Sequence, residues 1–158
     1  MSAFALLAGV CAGCGPDRAK EPVPYPVSLL LPKSVHFHSF TKTRIFDEKG
    51  GIRGIEAWVT LRDAYGDPTK AFGELRFELY EFRPGNPNRR GGRKAHWAVS
   101  IMDPRANRVH WNDASLAYTC RLRWDESIPV GQHFVLAVTF SSPFTERLFA
   151  ERELVAGE

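Results

Sequence analysis

His36 and His38 are the residues most plainly spaced for chemistry. They are two apart in a stretch that alternates apolar and polar side chains, so on a β-strand they project from one face and present two imidazoles, the beginning of a zinc or copper site. A complete site needs further ligands from His96, His110, His133 or a carboxylate, and no spacing marks one. The plain alternative is a pair of polar residues on a half-buried edge strand beside Phe37 and Phe40. The expectation is therefore no resident metal or other cofactor, with His36 and His38 as the candidates to follow.

Asp103, His110, Asp113 and Ser115 bring acids, an imidazole and a hydroxyl into the longest stretch without strand pattern. No catalytic motif frames them: there is no Gly-x-Ser-x-Gly elbow, no His-Glu-x-x-His and no phosphate-binding glycine loop. An enzyme is not expected. Asp47-Glu48-Lys49-Gly50-Gly51 sets acids beside glycines, but Lys49 stands where a calcium loop needs an oxygen donor, so a hairpin turn is the expectation. Arg83, Arg89, Arg90, Arg93 and Lys94 form a basic run without an acid, suited to an anionic surface such as lipid headgroups or polysaccharide. Only Phe82 and Trp97 flank it, which offers bases no stacking platform, and no nucleic acid partner is expected. Its glycines and prolines predict a peripheral loop outside the fold, and a plain solvated hairpin is the alternative. Trp58, Tyr80 and Phe82 take outward positions, as a partner-binding patch or as cover for sheet edges.

The elements that must position these residues are strands. Apolar side chains recur with period two in Val35 and Phe37, Ile55 to Leu61, Leu75 to Leu79, Trp97 to Ile101, Tyr118 to Trp124, Phe134 to Phe140 and Leu148 to Leu154. Gly50-Gly51, Gly66-Asp67-Pro68, the glycines and prolines of 84–92, Pro104, Pro129-Val130-Gly131 and Pro143 punctuate the runs. The pattern predicts an all-β, two-layer sandwich of about seven or eight strands, with one helical turn between Pro104 and Trp111. Phe77, Leu79, Trp97, Val99, Leu122, Trp124, Leu136 and Val138 are its expected core. Eleven Phe, four Trp and four Tyr in 158 residues supply core volume, and 25% charged residues with a formal net charge of +3 suit a globular domain.

The N-terminus has a different character. Residues 1–13 carry no charge, include the apolar run Phe4 to Val10, and end in Cys11-Ala12-Gly13 before Cys14. That run is far short of the roughly 20 residues that span a bilayer. The segment resembles the signal peptide and lipobox of bacterial lipoproteins, on the strength of Ala12-Gly13-Cys14 after an apolar stretch. It departs from that pattern in having Cys11 three positions before the cysteine, and no Lys or Arg ahead of the apolar run. The resemblance implies cleavage after Gly13, diacylation of the Cys14 thiol, and anchorage to the cell membrane or, with Gly15 next, the outer membrane. Residues 14–26 then read as a Pro-rich tether and 27–158 as the sandwich domain. With Cys11 removed and Cys14 acylated, Cys120 has no disulfide partner and is expected to be a small buried hydrophobe.

Val59 to Pro68, followed by Gly73 to Tyr80, resembles the strand, Asp-x-x-Gly-x-Pro turn and next strand of bacterial immunoglobulin-like and transthyretin-like modules. Ile128 to Leu136 resembles the Pro-x-Gly lead-in to a late strand of the same modules. A lipid-anchored small domain is also similar in architecture to the lipoprotein of type VI secretion membrane complexes. Together these imply a non-catalytic envelope lipoprotein that binds or assembles with an envelope protein or an anionic lipid or polysaccharide surface. The alternatives are a periplasmic metal-binding protein or enzyme using His36 and His38, and a component of a secretion-type membrane complex.

Overall fold

The computed structural model describes residues 20–46 and 52–157. The alternating runs become β1 (Ser34–Phe37), β2 (Lys42–Thr43), β3 (Ile52–Arg62), β4 (Glu74–Phe82), β5 (Arg90–Ser100), β6 (Trp111–Asn112), β7 (Ala117–Ile128), β8 (His133–Ser141) and β9 (Leu148–Val155), with the expected turn as helix α1 (Pro104–His110). They build two antiparallel sheets, β1-β3-β7-β6 with β2 also on β3, and β5-β4-β8-β9. If β1 and β2 are one broken edge strand, this is the A-B-E-D against C′-C-F-G order of an immunoglobulin-like sandwich. The chain is thus an all-β two-layer sandwich. Its strands exceed the expected seven or eight because β2 and β6 span two residues each, too short to leave a period.

Register explains the core. Leu75, Phe77 and Leu79 of β4 lie opposite Phe140, Val138 and Leu136 of β8. In the other sheet, Ile55 and Ala57 of β3 lie opposite Leu122 and Cys120 of β7, and all ten side chains are buried. Three expected core residues, Trp97, Val99 and Trp124, are only partly buried against this cluster. For Trp97 and Val99 the reason is that β5 is an edge strand. Trp97 uses its position: its Nε1–H donates to the Arg123 carbonyl at 2.6 Å, joining the two sheets along one open side. On the other side Arg152 of β9 donates to the carbonyls of His38 and Ser39, in the break between β1 and β2. Gly73 sits where a Cβ would lie 2.4 Å from the Ser141 carbonyl oxygen, so only glycine lets the chain pass into β4 there.

Of the tether expected over residues 14–26, residues 14–19 lie outside the described residues and residues 20–26 lie against the domain. The Glu21 N–H donates to the Pro143 carbonyl at 2.8 Å, and the Lys20 ammonium reaches the Ser142 carbonyl. After a 3-10 turn, Val27–Leu30, the Leu29 carbonyl accepts from Ala64 N–H and the Lys33 N–H donates to Arg62. Prolines bar a helix, yet the residues between them keep N–H groups that can pair with the domain. The chain is therefore docked on the sandwich from Lys20 onward.

At this same end, three segments distant in sequence meet at one hydroxyl. Tyr118, wholly buried, accepts the Ala71 N–H at 2.8 Å and donates to Asn107 Oδ1 at 3.2 Å. The Asn107 amide in turn donates to the carbonyls of Ala71 and Ile101. Tyr118→Phe leaves a buried N–H without its acceptor and should cost about 1–3 kcal/mol in urea unfolding; a loss within experimental error would show that water replaces the hydroxyl. Cys120 is buried, and burial pushes its thiol up to about 12. It should not react with a thiol reagent until the protein unfolds. A raised pKa makes its contribution to stability full below the ordinary value of 9.0 and lost as pH climbs toward the folded value.

Candidate functional site

The basic run does not form a peripheral loop. The connection between β4 and β5 covers only residues 83–89, and Arg90 and Arg93 lie in β5 opposite Phe82 and Tyr80. Gly91 and Gly92 read as loop residues, but they stand in a strand whose register shifts twice against β4, and the space a Cβ would fill at Gly91 holds the Arg83 side chain. Four of the five cations have acidic partners. Arg89 pairs with Glu153, Arg90 with Glu151, Arg93 with Glu78 at 2.8 Å and Arg83 with Glu81 at 3.2 Å. The Arg90 guanidinium also lies 4.7 Å from the centre of the Tyr80 ring. Lys94 is exposed and has no ion-pair partner among the described residues. The outer face of this sheet therefore carries a laced strip of matched charge rather than an unbalanced basic patch. Two of the matching acids, Glu78 and Glu81, come from β4, and two, Glu151 and Glu153, come from β9, far along the chain, where no local spacing announced them.

The hydrogen bond from Arg93 holds the Glu78 carboxyl below its ordinary range. Burial raises the Tyr80 hydroxyl, and a hydrogen bond to Glu78 adds to the shift. Phe82 packs beside the His133 ring. Trp58 lies in the opposite sheet, edge-on to Phe40 at 5.6 Å, so the three outward aromatics do not form one patch.

The histidines are dispersed. His36, on β1, bonds Ser34 Oγ through Nε2 at 3.0 Å, while His38, past the end of that strand, accepts the Phe40 N–H at Nδ1 and packs on its ring. His96 stands on β5, His110 ends α1 with Nδ1 at 3.1 Å from the Thr119 carbonyl, and His133 begins β8. Among the described residues no three His, Cys, Asp or Glu side chains are placed to hold a metal ion. The acids and hydroxyl near His110 are engaged in local structure. Asp103 caps α1 by accepting the N–H groups of Arg105 and Ala106, Asp113 accepts Trp111 Nε1–H at 2.8 Å, and Ser115 bonds Asn112. Cys14, Cys11 and the acidic turn 47–51 lie outside the described residues.

A cleft of about 610 Å³ opens beside α1. Lys70 places its ammonium 5.2 Å from the centre of the Trp111 ring and 3.7 Å from Asp113, and Arg108 borders the mouth. The Ala71 and Asn107 knot, with Tyr118 behind it, forms the floor. Burial raises the Tyr118 pKa, so that hydroxyl stays protonated. A cation, a carboxylate and an indole face line the cleft, the first two paired with each other. Sequence reading picked out Asp113 but missed Lys70, Asn107 and Trp111, which meet only through the crossing between sheets.

Because Glu78 is lowered, its contribution to stability is full above the ordinary value of 4.5 and is lost as pH falls through the folded value. In an NMR titration Glu78 should titrate below that value, and Arg93→Gln should return it upward. An ordinary titration in the unmodified protein would show that the pair does not persist in solution. Compared with protein-family models, with curated proteins and with solved structures, the chain has no significant match in any of the three.

Proposed function

We propose that this is an exported lipoprotein, held to the cell membrane or outer membrane by acyl chains on Cys14, whose sandwich is a non-catalytic binding or assembly module for an envelope partner. The observation that carries this reading is Ala12-Gly13-Cys14 at the close of an uncharged apolar run, six residues ahead of the first residue docked on the sandwich. The docking of Lys20 and Glu21 beside Pro143 supports it, because it brings the chain to one end of the domain from the side on which an anchor would lie. Membership of a secretion-type complex is one form the assembly role would take. No specific observation favours the metal-carrier alternative, since His36 and His38 stand at β1 while His96, His110 and His133 stand on three other elements.

Expressed with labelled fatty acid in a bacterial host, the full chain should take up label and fractionate with membranes. Cys14→Ser should abolish both, while Cys11→Ser and Cys120→Ser should leave label in place. Label persisting in Cys14→Ser overturns the assignment.

A further inference from the structure

Twelve large apolar side chains are exposed among the described residues, and eight of them lie in the connections at one end of the sandwich. Tyr25, Val27 and Leu30 come from the docked N-terminal segment, Tyr65 and Phe72 from the β3–β4 connection. Met102 and Val109 belong to the β5–β6 connection and its helix, and Leu116 to the β6–β7 turn. Phe149 stands one residue into β9 from the same end. The opposite end, which holds the β4–β5 and β7–β8 turns and residues 156–157, exposes only Ile45 and Val130 among the described residues. This end also carries the longer connections, residues 63–73 and 101–110 against 83–89 and 129–132, but connections normally carry polar and turn-forming residues, so eight large apolar side chains left exposed in them call for a cause outside the core.

Leu116 sharpens the point. It has φ +51°, in the left-handed region that Gly and Asn adopt readily and a branched apolar side chain does not, and it is 45% exposed. The fold gains strain and little burial from a leucine here, so its side chain serves something beyond the fold.

We propose that this end is a membrane-seating surface, with the interfacial layer of a lipid bilayer as its partner. The proposal rests on the Cys14 anchor. Residues 14–19 separate that cysteine from Lys20 and, even fully extended, reach only about 20 Å. A lipid on Cys14 thus holds this end, and not the opposite one, against the bilayer. Tyr25 and Tyr65 are the amphipathic aromatics that favour such an interface. Lys33, Arg105 and Arg108 are exposed there, with stems long enough to lie on lipid while their charges stay wet. Of the acids at this end, Asp63 and Asp103 are turned into the chain, each accepting two backbone N–H groups, while Glu21, Asp67, Asp113 and Glu146 are exposed, so charge does not drive the seating. Seating is driven by apolar contact, and the cleft beside α1 then opens at the membrane surface.

Two measurements test this. In the full lipidated chain on neutral phosphatidylcholine vesicles, a fluorophore at Leu116→Cys should be quenched by doxyl-labelled lipid several-fold more than one at Val130→Cys; equal quenching overturns the seat while leaving the anchor intact. In the Cys14→Ser chain, which then has no lipid, weak flotation with the same vesicles should survive high salt. It should fall at least tenfold in the combination Tyr65→Ser, Val109→Ser and Leu116→Gly, with a melting temperature unchanged or raised. Salt-sensitive flotation overturns the apolar seat, as does self-association through those three residues without lipid. Label remaining on Cys14→Ser overturns the anchor separately, and the flotation result still decides the seat.

Discussion

The buried hydroxyl of Tyr118 is the constraint on which one end of this molecule depends. Sealed from water, it must find partners inside the protein, and it finds them on Ala71 and Asn107, 47 and 11 residues away in sequence. One polar atom thereby fixes the β3–β4 connection against α1 and both against β7. Asn107 extends the restraint to the Ile101 carbonyl, where the chain leaves β5 to cross between sheets. The cleft, the position of Lys70 over Trp111 and the arrangement of exposed apolar side chains all follow from segments held at this point.

A two-layer sandwich has two open sides, and among the described residues no disulfide closes them. Cys120 is alone in the core, so cohesion comes from aromatic and branched volume, with Phe77, Phe134 and Phe140 wholly buried. The sides are sealed by long residues whose apolar bodies face inward and whose polar tips reach the other sheet: the Trp97 indole on one side, the Arg152 guanidinium on the other. The paired charges of β5 and β9 act differently. They lie on the outer sheet face in contact with water, where exposed pairs are each worth about 0–1 kcal/mol, and they contribute orientation more than cohesion.

How much was legible in the sequence follows the range of each interaction. Period-two alternation is local, and it located every strand longer than two residues, the fold class and the fully buried half of the core. The short helix was legible too, from Pro104 and a segment without alternation, and Asp103 is its cap. The basic run misled because Gly91 and Gly92 are loop residues by propensity, whereas the strand that contains them is set by pairing with β4, a tertiary fact. Its charge misled for the same reason, since Glu151 and Glu153 become neighbours only when β9 adds to the sheet. Prolines 22, 24 and 26 mark a segment outside helix and strand, as residues 20–26 are, but composition has no means of showing what such a segment lies against.

Both ends of the sandwich must turn strands, satisfy backbone groups and shield the edge of one core, and the longer connections, residues 63–73 and 101–110, lie at one of them. Shielding the core does not call for the apolar side chains of those connections to be exposed. The opposite end meets those demands with polar turns, as where Gly131 allows the β7–β8 reversal at φ +81°. The end at which Lys20 docks meets them with tyrosines, valines and a leucine in a backbone conformation that a leucine disfavours. An asymmetry that the core does not require points to the surroundings of the molecule, and under the proposed anchor at Cys14 those surroundings are a bilayer. The two ends thus differ in surface, one exposing Ile45 and Val130 among the described residues and the other eight large apolar side chains.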